Sequence, residues 1–154
     1  MNNIVLDSMT KEDLNAVVAL DANNPFAWRA RNFADSLDAK NSAWILKKSG
    51  NIIGFSVWMV VIDEAHLLNI GVANYERRQG FGAFLLNEVC KKSYAFGALK
   101  IFLDVRESNL AARALYQKFG FIEIARRRNY YQLPELAEDG LVLFRTLPLA
   151  EHHV

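Results

Sequence analysis

The sequence predicts a single α/β domain in which one mixed sheet carries helices on its faces. Three observations predict it: apolar runs typical of strands alternate with runs of helical spacing, no linker or repeat interrupts this order, and 154 residues suit one domain. We therefore expect a domain over residues 1–150, followed by a frayed tail of residues 151–154.

The composition narrows the classes of function. Hydrophobic residues make up 52% of the chain and charged residues 23%, and the 18 basic side chains nearly balance the 17 acidic ones. This balance favours neither direct nucleic-acid binding nor membrane binding. No signal peptide is recognisable, and the longest apolar run, 52–62, is shorter than the about 20 residues that span a bilayer. We expect a cytoplasmic protein.

Three features of the sequence predict no disulfide, no metal site and no RNA contact. Cys90 is the only cysteine, which precludes an internal disulfide, and its place on an apolar helical stripe predicts a core thiol. The three histidines form no ligand cluster, so we predict no metal. The consecutive arginines 126–128 are interpreted as a solvated edge rather than an RNA contact.

The N-terminal third begins with a short strand and two helices. Ile4 and Leu6 alternate with polar neighbours, as in a strand, and Thr10 with Asp13 three residues later predicts the start of a helix over residues 11–23. An Asn-Asn-Pro segment ends that helix, and a second helical stretch follows and ends near Ala39.

Three consecutive strands come next. The segments 43–48 and 52–62 form a hairpin around a turn at residues 49–51, and Asp63-Glu64 turns the chain into a strand that ends at Val72. A helix then begins at a glycine pair and ends at Gly97.

The C-terminal third contains the remaining elements. They are a fifth strand over 100–105, a short helix from its cap Asn109 to Gly120, and strands over 121–129 and 141–147 joined by a polar loop with Pro134 and Gly140.

The segment Arg77-Arg78-Gln79-Gly80-Phe81-Gly82 joins the fourth strand to the third helix. The first backbone N–H groups of a helix lack intrahelical partners, the helix dipole favours anions, and glycine lets the backbone approach a ligand closely. The segment therefore predicts a pyrophosphate site. A helix start that merely contains glycines is the alternative.

The spacing of the glycines selects among nucleotide motifs. Neither a P-loop nor a dinucleotide fingerprint matches it. The pattern Arg77-x-x-Gly80-x-Gly82 resembles the acyl-coenzyme A signature of the GCN5-related N-acetyltransferases (GNAT). Further motifs are similar to the RimI branch of this family, the ribosomal-protein alanine N-acetyltransferases: Asn69-Ile70-Gly71-Val72, Leu103-Asp104-Val105-Arg106 with Asn109, Ala114-Leu115-Tyr116, Phe119-Gly120-Phe121 and Arg127-Arg128-Asn129-Tyr130-Tyr131.

The resemblance covers nearly the whole chain and implies a fold and a cofactor. It implies a mixed, mostly antiparallel seven-stranded sheet, flanked by about four helices and splayed between the fourth and fifth strands, and acetyl-coenzyme A as co-substrate. The implied cofactor-binding positions are Ile70, Gly71, Val72, Arg77, Arg78, Gln79, Gly80, Phe81, Gly82, Ala83 and Asn109. Asn109 can serve as a plain helix cap as well.

The resemblance also implies a proton acceptor at Asp104 and a proton donor at Tyr116. The family pattern has glutamate at the first position, and the shorter aspartate would reach an amine through a water. Two alternatives stay open: Asp104 pairs with Arg106 on the same strand face, and Tyr116 is a packing residue. Glu64 and His66 share a face of the fourth strand and are the reserve candidates for the base.

The implied substrate is the N-terminal α-amine of a ribosomal protein, attacked directly without a covalent enzyme intermediate. Glu64, Tyr130 and Tyr131 are the predicted substrate-binding residues, with both tyrosines on the loop before the last strand. One alternative is an acetyltransferase for a small-molecule amine, such as a polyamine or an antibiotic. Another is a non-catalytic coenzyme A binding module.

Overall fold

The structure is a computed structural model that describes residues 3–150. Within this range, seven strands and four α-helices follow one another: β1 Ile4–Ser8, α1 Leu14–Leu20, α2 Ala30–Asp38, β2 Ser42–Lys48, β3 Asn51–Val61, β4 Glu64–Val72, α3 Phe81–Ala95, β5 Lys100–Arg106, α4 Leu110–Lys118, β6 Ile122–Leu133 and β7 Leu136–Thr146. The strand order in the sheet is β1-β2-β3-β4-β5-β7-β6. The predicted seven-stranded α/β fold is confirmed, whereas the predicted tail, 151–154, lies outside the described residues.

The chain divides into two compact units, and the first comprises residues 3–59 and 68–89. Its strands β1, β2 and β3 pair antiparallel. In its core the Phe33 ring of α2 contacts Phe55 of β3 edge to face, with centroids 5.3 Å apart. A second cluster joins the end of β4 to the start of α3 through Val72, Phe81 and Leu85.

The second unit comprises residues 60–67 and 90–150. Here β5 pairs antiparallel with β7, and β7 with β6. The start of β4 pairs parallel with β5 over four residue pairs, from Glu64↔Lys100 to Leu67↔Leu103. Along β5, Leu103 and Val105 are buried and Asp104 between them is exposed, because successive side chains of a strand point to opposite faces.

The N-terminal helix differs from its prediction. Thr10 N–H donates to Asp13 Oδ2 at 2.8 Å, so the predicted capping pair forms. The first turn, Lys11–Asp13, is a 3₁₀ helix, and the α-helix ends at Leu20 rather than at residue 23. The side-chain amide and the backbone N–H of Asn24 both donate hydrogen bonds to Asp21. The chain therefore forms a turn here instead of another turn of α-helix.

The predicted polar loop between the last two strands is wrong. Strands β6 and β7 pair out to Leu133↔Leu136, so the connection is the two residues Pro134 and Glu135. β6 is an edge strand of the sheet, and its residues from Ile122 to Tyr130 are all exposed, as loop residues would be. Polarity therefore marked solvent exposure here and not the absence of a strand. Gly140, predicted in the loop, is a buried residue of β7.

Among the described residues, no helix is long and apolar enough to cross a membrane.

Candidate functional site

The loop before α3 has the backbone geometry of an anion site. Arg78 and Gly80 both have positive φ, 65° and 83°, and glycine adopts this conformation at no steric cost. The first α-helical hydrogen bond runs from Phe84 N–H to the Gly80 carbonyl, at 2.9 Å. The N–H groups of Phe81, Gly82 and Ala83 therefore precede the first intrahelical bond, as the sequence predicts, and are available to an anionic ligand.

Hydrogen bonds of three side chains in the first unit, Lys48, Glu76 and Arg77, hold this loop in place. Arg77 Nε donates to the Val72 carbonyl at 3.1 Å, which ties the loop to the end of β4. Glu76 is buried and accepts from Lys48 Nζ at 3.1 Å and from Gln79 Nε2 at 3.0 Å. Sequence reasoning missed Glu76 and Lys48, and the only local signal was an acidic residue directly before the basic pair.

The end of β4 passes close to an aromatic ring. A Cβ placed on Gly71 would lie 2.6 Å from Phe55 Cε1 and 2.9 Å from Cζ, and Phe55 is fully buried. Glycine thus lets the predicted cofactor-binding strand lie against Phe55. Ile70 and Val72 on either side pack into the cluster that contains Phe81, so the strand end and the helix start share one core.

Asp104 of the second unit pairs with an arginine of the edge strand. Arg127 Nε lies 3.1 Å from Asp104 Oδ1, and the Arg127 guanidinium lies over the Tyr130 ring, 5.3 Å from its centroid. Arg106, the alternative partner that the sequence offers for Asp104, binds Glu138 Oε1 through Nη1 at 3.2 Å. Arginine on β6 reaches β5 because only β7 separates the two strands.

Glu138 bonds both to the Arg106 side chain at the end of β5 and to Ser108 just after it. Burial alone would raise the pKa of its carboxyl group, but hydrogen bonds from the Ser108 hydroxyl and N–H and from Arg106 lower that pKa overall. The carboxylate therefore stays ionised at neutral pH and holds the segment that leads into α4.

The two predicted residues of α4 have distinct environments. Asn109 Oδ1 accepts from Ala112 N–H at 3.2 Å, which confirms Asn109 as the helix cap. Tyr116 is buried, and its ring lies 5.7 Å from that of Phe121. Burial raises the pKa of the Tyr116 phenol, and Tyr131 raises it further, so the phenol is protonated at neutral pH.

A wide bulge in β6 positions the two predicted substrate tyrosines. Arg127 pairs with Gly140 and Tyr131 with Glu138, so three residues of β6 face a single residue, Asp139, on β7. Asn129 at the centre has a φ of 50°, and its N–H donates to Asp139 Oδ1 at 2.9 Å. The predicted loop position of the tyrosines is therefore corrected to a bulged strand.

The tyrosine rings pack on each other and on a glycine. The rings of Tyr130 and Tyr131 meet edge to face at 5.1 Å, and a Cβ on Gly140 would approach both to 3.0 and 3.1 Å. Burial raises the pKa of Tyr131 to about 12, and the negative charge of Asp104 is the next cause. Asp104 and Tyr131 therefore lie within electrostatic reach of each other.

The reserve candidates for the base lie together, as predicted. His66 Nε2 is 3.5 Å from Glu64 Oε1, and Lys100 Nζ is 3.7 Å from Glu64 Oε2. The His66 ring also stacks on Phe102 at 5.5 Å. Glu64 therefore already has two cationic or ionisable neighbours.

Cys90 is buried, and burial raises the pKa of its thiol to about 12. The reactive thiolate is thus scarce at neutral pH, which agrees with the predicted core thiol. No group of three or more potential metal ligands occurs within residues 3–150.

The predicted site residues fall into two sets, one in each unit. Residues 70–72 and 77–83 belong to the first unit and present backbone N–H groups. Glu64, Asp104, Asn109, Tyr116, Tyr130 and Tyr131 belong to the second and present carboxylate, amide and phenol groups. The first set suits an anionic ligand, and the second suits proton transfer to and from a polar substrate.

The mixed sheet with its glycine loop before α3 defines an acyl-coenzyme A dependent transferase fold. A family model described as "Acetyltransferase (GNAT) family" matches residues 8–121, and the chain belongs to this family. Over 146 residues it is 34% identical to the [ribosomal protein bS18]-alanine N-acetyltransferase of Escherichia coli K12, covering 94% of this chain and 97% of the relative.

Solved structures agree with this assignment. The crystal structure of the ribosomal-protein-S18-alanine N-acetyltransferase from Escherichia coli matches with a TM-score of 0.86 and 32% identity, covering 98% of each chain. A GNAT family acetyltransferase from Elizabethkingia anophelis, solved with acetyl-CoA bound, has a TM-score of 0.76 at 21% identity and covers 96% of this chain and 100% of its own. The second likeness shows the fold alone.

Proposed function

We propose that the protein transfers the acetyl group of acetyl-CoA to the N-terminal α-amine of a ribosomal protein, specifically the N-terminal alanine of bS18. The observation that carries this proposal is the 34% identity, over 94% of the chain, to an enzyme named for that reaction. A ribosomal substrate would place the reaction in the cytoplasm, as the sequence analysis expects.

The loop before α3 supports acetyl-CoA as the donor. The N–H groups of Phe81, Gly82 and Ala83 can bind its pyrophosphate, and Gly80, whose positive φ favours glycine, has no side chain that could block it. Backbone N–H groups at residues 70–72 would pair with the pantetheine arm, and one of them would polarise the thioester carbonyl. Asn109, already a helix cap, would also bond the cofactor.

The acetyl transfer would proceed in one displacement. The amine nitrogen bonds to the acetyl carbonyl carbon, the carbon–sulfur bond breaks, and the product is an amide and free coenzyme A. Asp104 accepts the amine proton through a water, and Tyr116 gives its proton to the departing sulfur. Burial raises the pKa of Tyr116, which keeps the phenol protonated before the reaction. After the transfer, Asp104 returns its proton to solvent and Tyr116 takes up a proton from solvent.

The proton balance favours an α-amine over a lysine side chain. An α-amine with a pKa of roughly 7.8 costs about 1 kcal/mol to deprotonate at pH 7, whereas a lysine at roughly 10.4 costs about 5 kcal/mol. A carboxylate acting through a water suffices for the first. Tyr130 and Tyr131, which pack beside the Asp104–Arg127 pair, would contact the first residues of the peptide, and Glu64 would contact the substrate further along the sheet.

Three acceptors test the proposal. They are a peptide that begins with alanine, the same peptide with its α-amine blocked and one internal lysine, and spermidine. We expect coenzyme A release only with the first, with the acetyl group located on the α-amine by fragmentation mass spectrometry. Release with spermidine or lysine alone would contradict the proposal, and binding of coenzyme A without turnover of any acceptor would favour the non-catalytic module.

A further inference from the structure

The loop before α3 rests on an ion pair between a buried carboxylate, Glu76, and a partly exposed lysine, Lys48, and no sequence motif includes it. The Glu76 side chain is 11% exposed, and its Oε1 lies 3.1 Å from Lys48 Nζ. The same oxygen accepts from Gln79 Nε2 at 3.0 Å, and Gln79 lies inside the proposed pyrophosphate loop. A buried carboxylate is therefore bonded directly to the loop that would hold a dianionic group.

This position has an electrostatic consequence. A carboxylate close to a pyrophosphate repels it, and repulsion is strong where solvent is largely excluded. Lys48 supplies the compensating charge from strand β2, 28 residues away in sequence. Its ammonium also lies 5.8 Å from the centroid of Phe81, the first residue of α3.

The charge of Lys48 and the charge of Glu76 would each be unfavourable at this position without the other. A lone cation at a helix start opposes the helix dipole, and a lone buried carboxylate carries an uncompensated desolvation cost. Together they are neutral, and Glu76 Oε1 accepts from both Lys48 and Gln79. The pair can thus fix the loop without adding net charge to an anion site.

Resting on the proposed function, we infer that Lys48 is a positioning residue for acetyl-CoA: it neutralises Glu76, which in turn holds Gln79 and the pyrophosphate loop. Lys48 does not need to touch the cofactor for this role. Its effect on the cofactor passes through Glu76, so it disappears when Glu76 is made neutral.

The test is a double-mutant cycle on the Kd of coenzyme A, measured by titration calorimetry on the full chain. K48M leaves Glu76 ionised and unpaired, and we expect Kd to rise at least tenfold. E76Q keeps an oxygen for Gln79, and we expect a Kd within threefold of the native value or lower. The double variant K48M/E76Q has no carboxylate to neutralise and should return to within threefold of the native Kd.

Lys47 provides the matched control. It is the neighbouring residue of β2 and pairs with Asp7 at 3.6 Å, so K47M removes the same charge from an ion pair outside the loop. We expect its Kd to match that of the native protein. Thermal unfolding of all four variants identifies any variant that fails to fold. If K48M fails to fold, the Kd of the double variant K48M/E76Q is the measurement that tests the inference.

The outcomes separate the inference from the proposed function. Equal Kd values for K48M and K47M would overturn the inference, and so would a double variant as weak as K48M, which would mean that Lys48 acts directly on the phosphate or by packing. Absence of coenzyme A binding by the native protein would instead refute the proposed function.

Discussion

Replacing Asp104 with asparagine separates the two roles that its geometry allows, proton acceptor and counter-ion of Arg127. The ion pair spans 3.1 Å, but the Arg127 and Asp104 side chains are 51% and 34% exposed. Exposed pairs contribute about 0.2–1 kcal/mol, and ~1 kcal/mol shifts the Tm of a domain of this size by roughly 2–4 °C. We therefore expect D104N to unfold no more than about 4 °C below the native protein.

The effect on turnover should be much larger if Asp104 accepts the proton. Loss of a general base typically lowers the rate about 10²-fold, which corresponds to about 2.7 kcal/mol. R127Q breaks the same ion pair from the other side and leaves the carboxylate in place. We expect D104N to lose about 10²-fold in kcat/KM and R127Q less than about tenfold.

The assay is coenzyme A release with an alanine-first peptide, alongside thermal unfolding of each variant. D104E serves as the conservative control and should stay active, because its longer side chain keeps a carboxylate that reaches the amine more directly. Equal losses in D104N and R127Q would reduce Asp104 to a counter-ion. Full activity of D104N would pass the base role to Glu64, His66 or solvent.

Two further variants and one labelling experiment test other parts of the protein. Y116F should keep the Kd of coenzyme A and lose about 10²-fold in kcat, since only the donated proton is removed; a loss below threefold with chemistry rate-limiting would make Tyr116 a packing residue. G82V should weaken coenzyme A binding at least tenfold, about 1.4 kcal/mol, because a branched side chain intrudes on the phosphate; unchanged calorimetric affinity in a folded variant would refute this placement. Cys90 should react with a thiol reagent at pH 8 only after unfolding, since its pKa is about 12; rapid labelling of the native protein would argue against the buried thiol.

The sequence could predict the elements and motifs whose signals are local. The cap at Thr10, the cap at Asn109 and the helix start after the glycine loop each depend on residues within about one helical turn, and the structure confirms these three local features. The apolar run of β5 is a local signal as well, and the structure has a strand at Lys100–Arg106, as predicted. Such signals need no knowledge of which strands are neighbours.

The partners of the charged residues could not be predicted in this way. Lys48 and Glu76 are 28 residues apart, and Arg127 and Asp104 are 23 apart. Each pair depends on a tertiary arrangement that the pattern of a single segment does not contain. Arg106 is nearer to Asp104 in sequence, but the sequence does not show that Asp104 Oδ1 accepts from Arg127 on β6.

The bulge in β6 lies after Arg127, and it determines where Tyr131 falls on β6 in a way that the sequence alone does not show. Past Arg127, the register of β6 against β7 jumps from Gly140 to Glu138 while β6 advances to Tyr131. Asp139 holds this jump by accepting from Asn129 N–H and from Arg126 NH1, both at 2.9 Å. A regular strand of the same sequence would place the next residues on opposite faces in turn. The position of Tyr131, whose pKa the charge of Asp104 helps to raise, therefore depends on Asp139, a residue that none of the motifs includes.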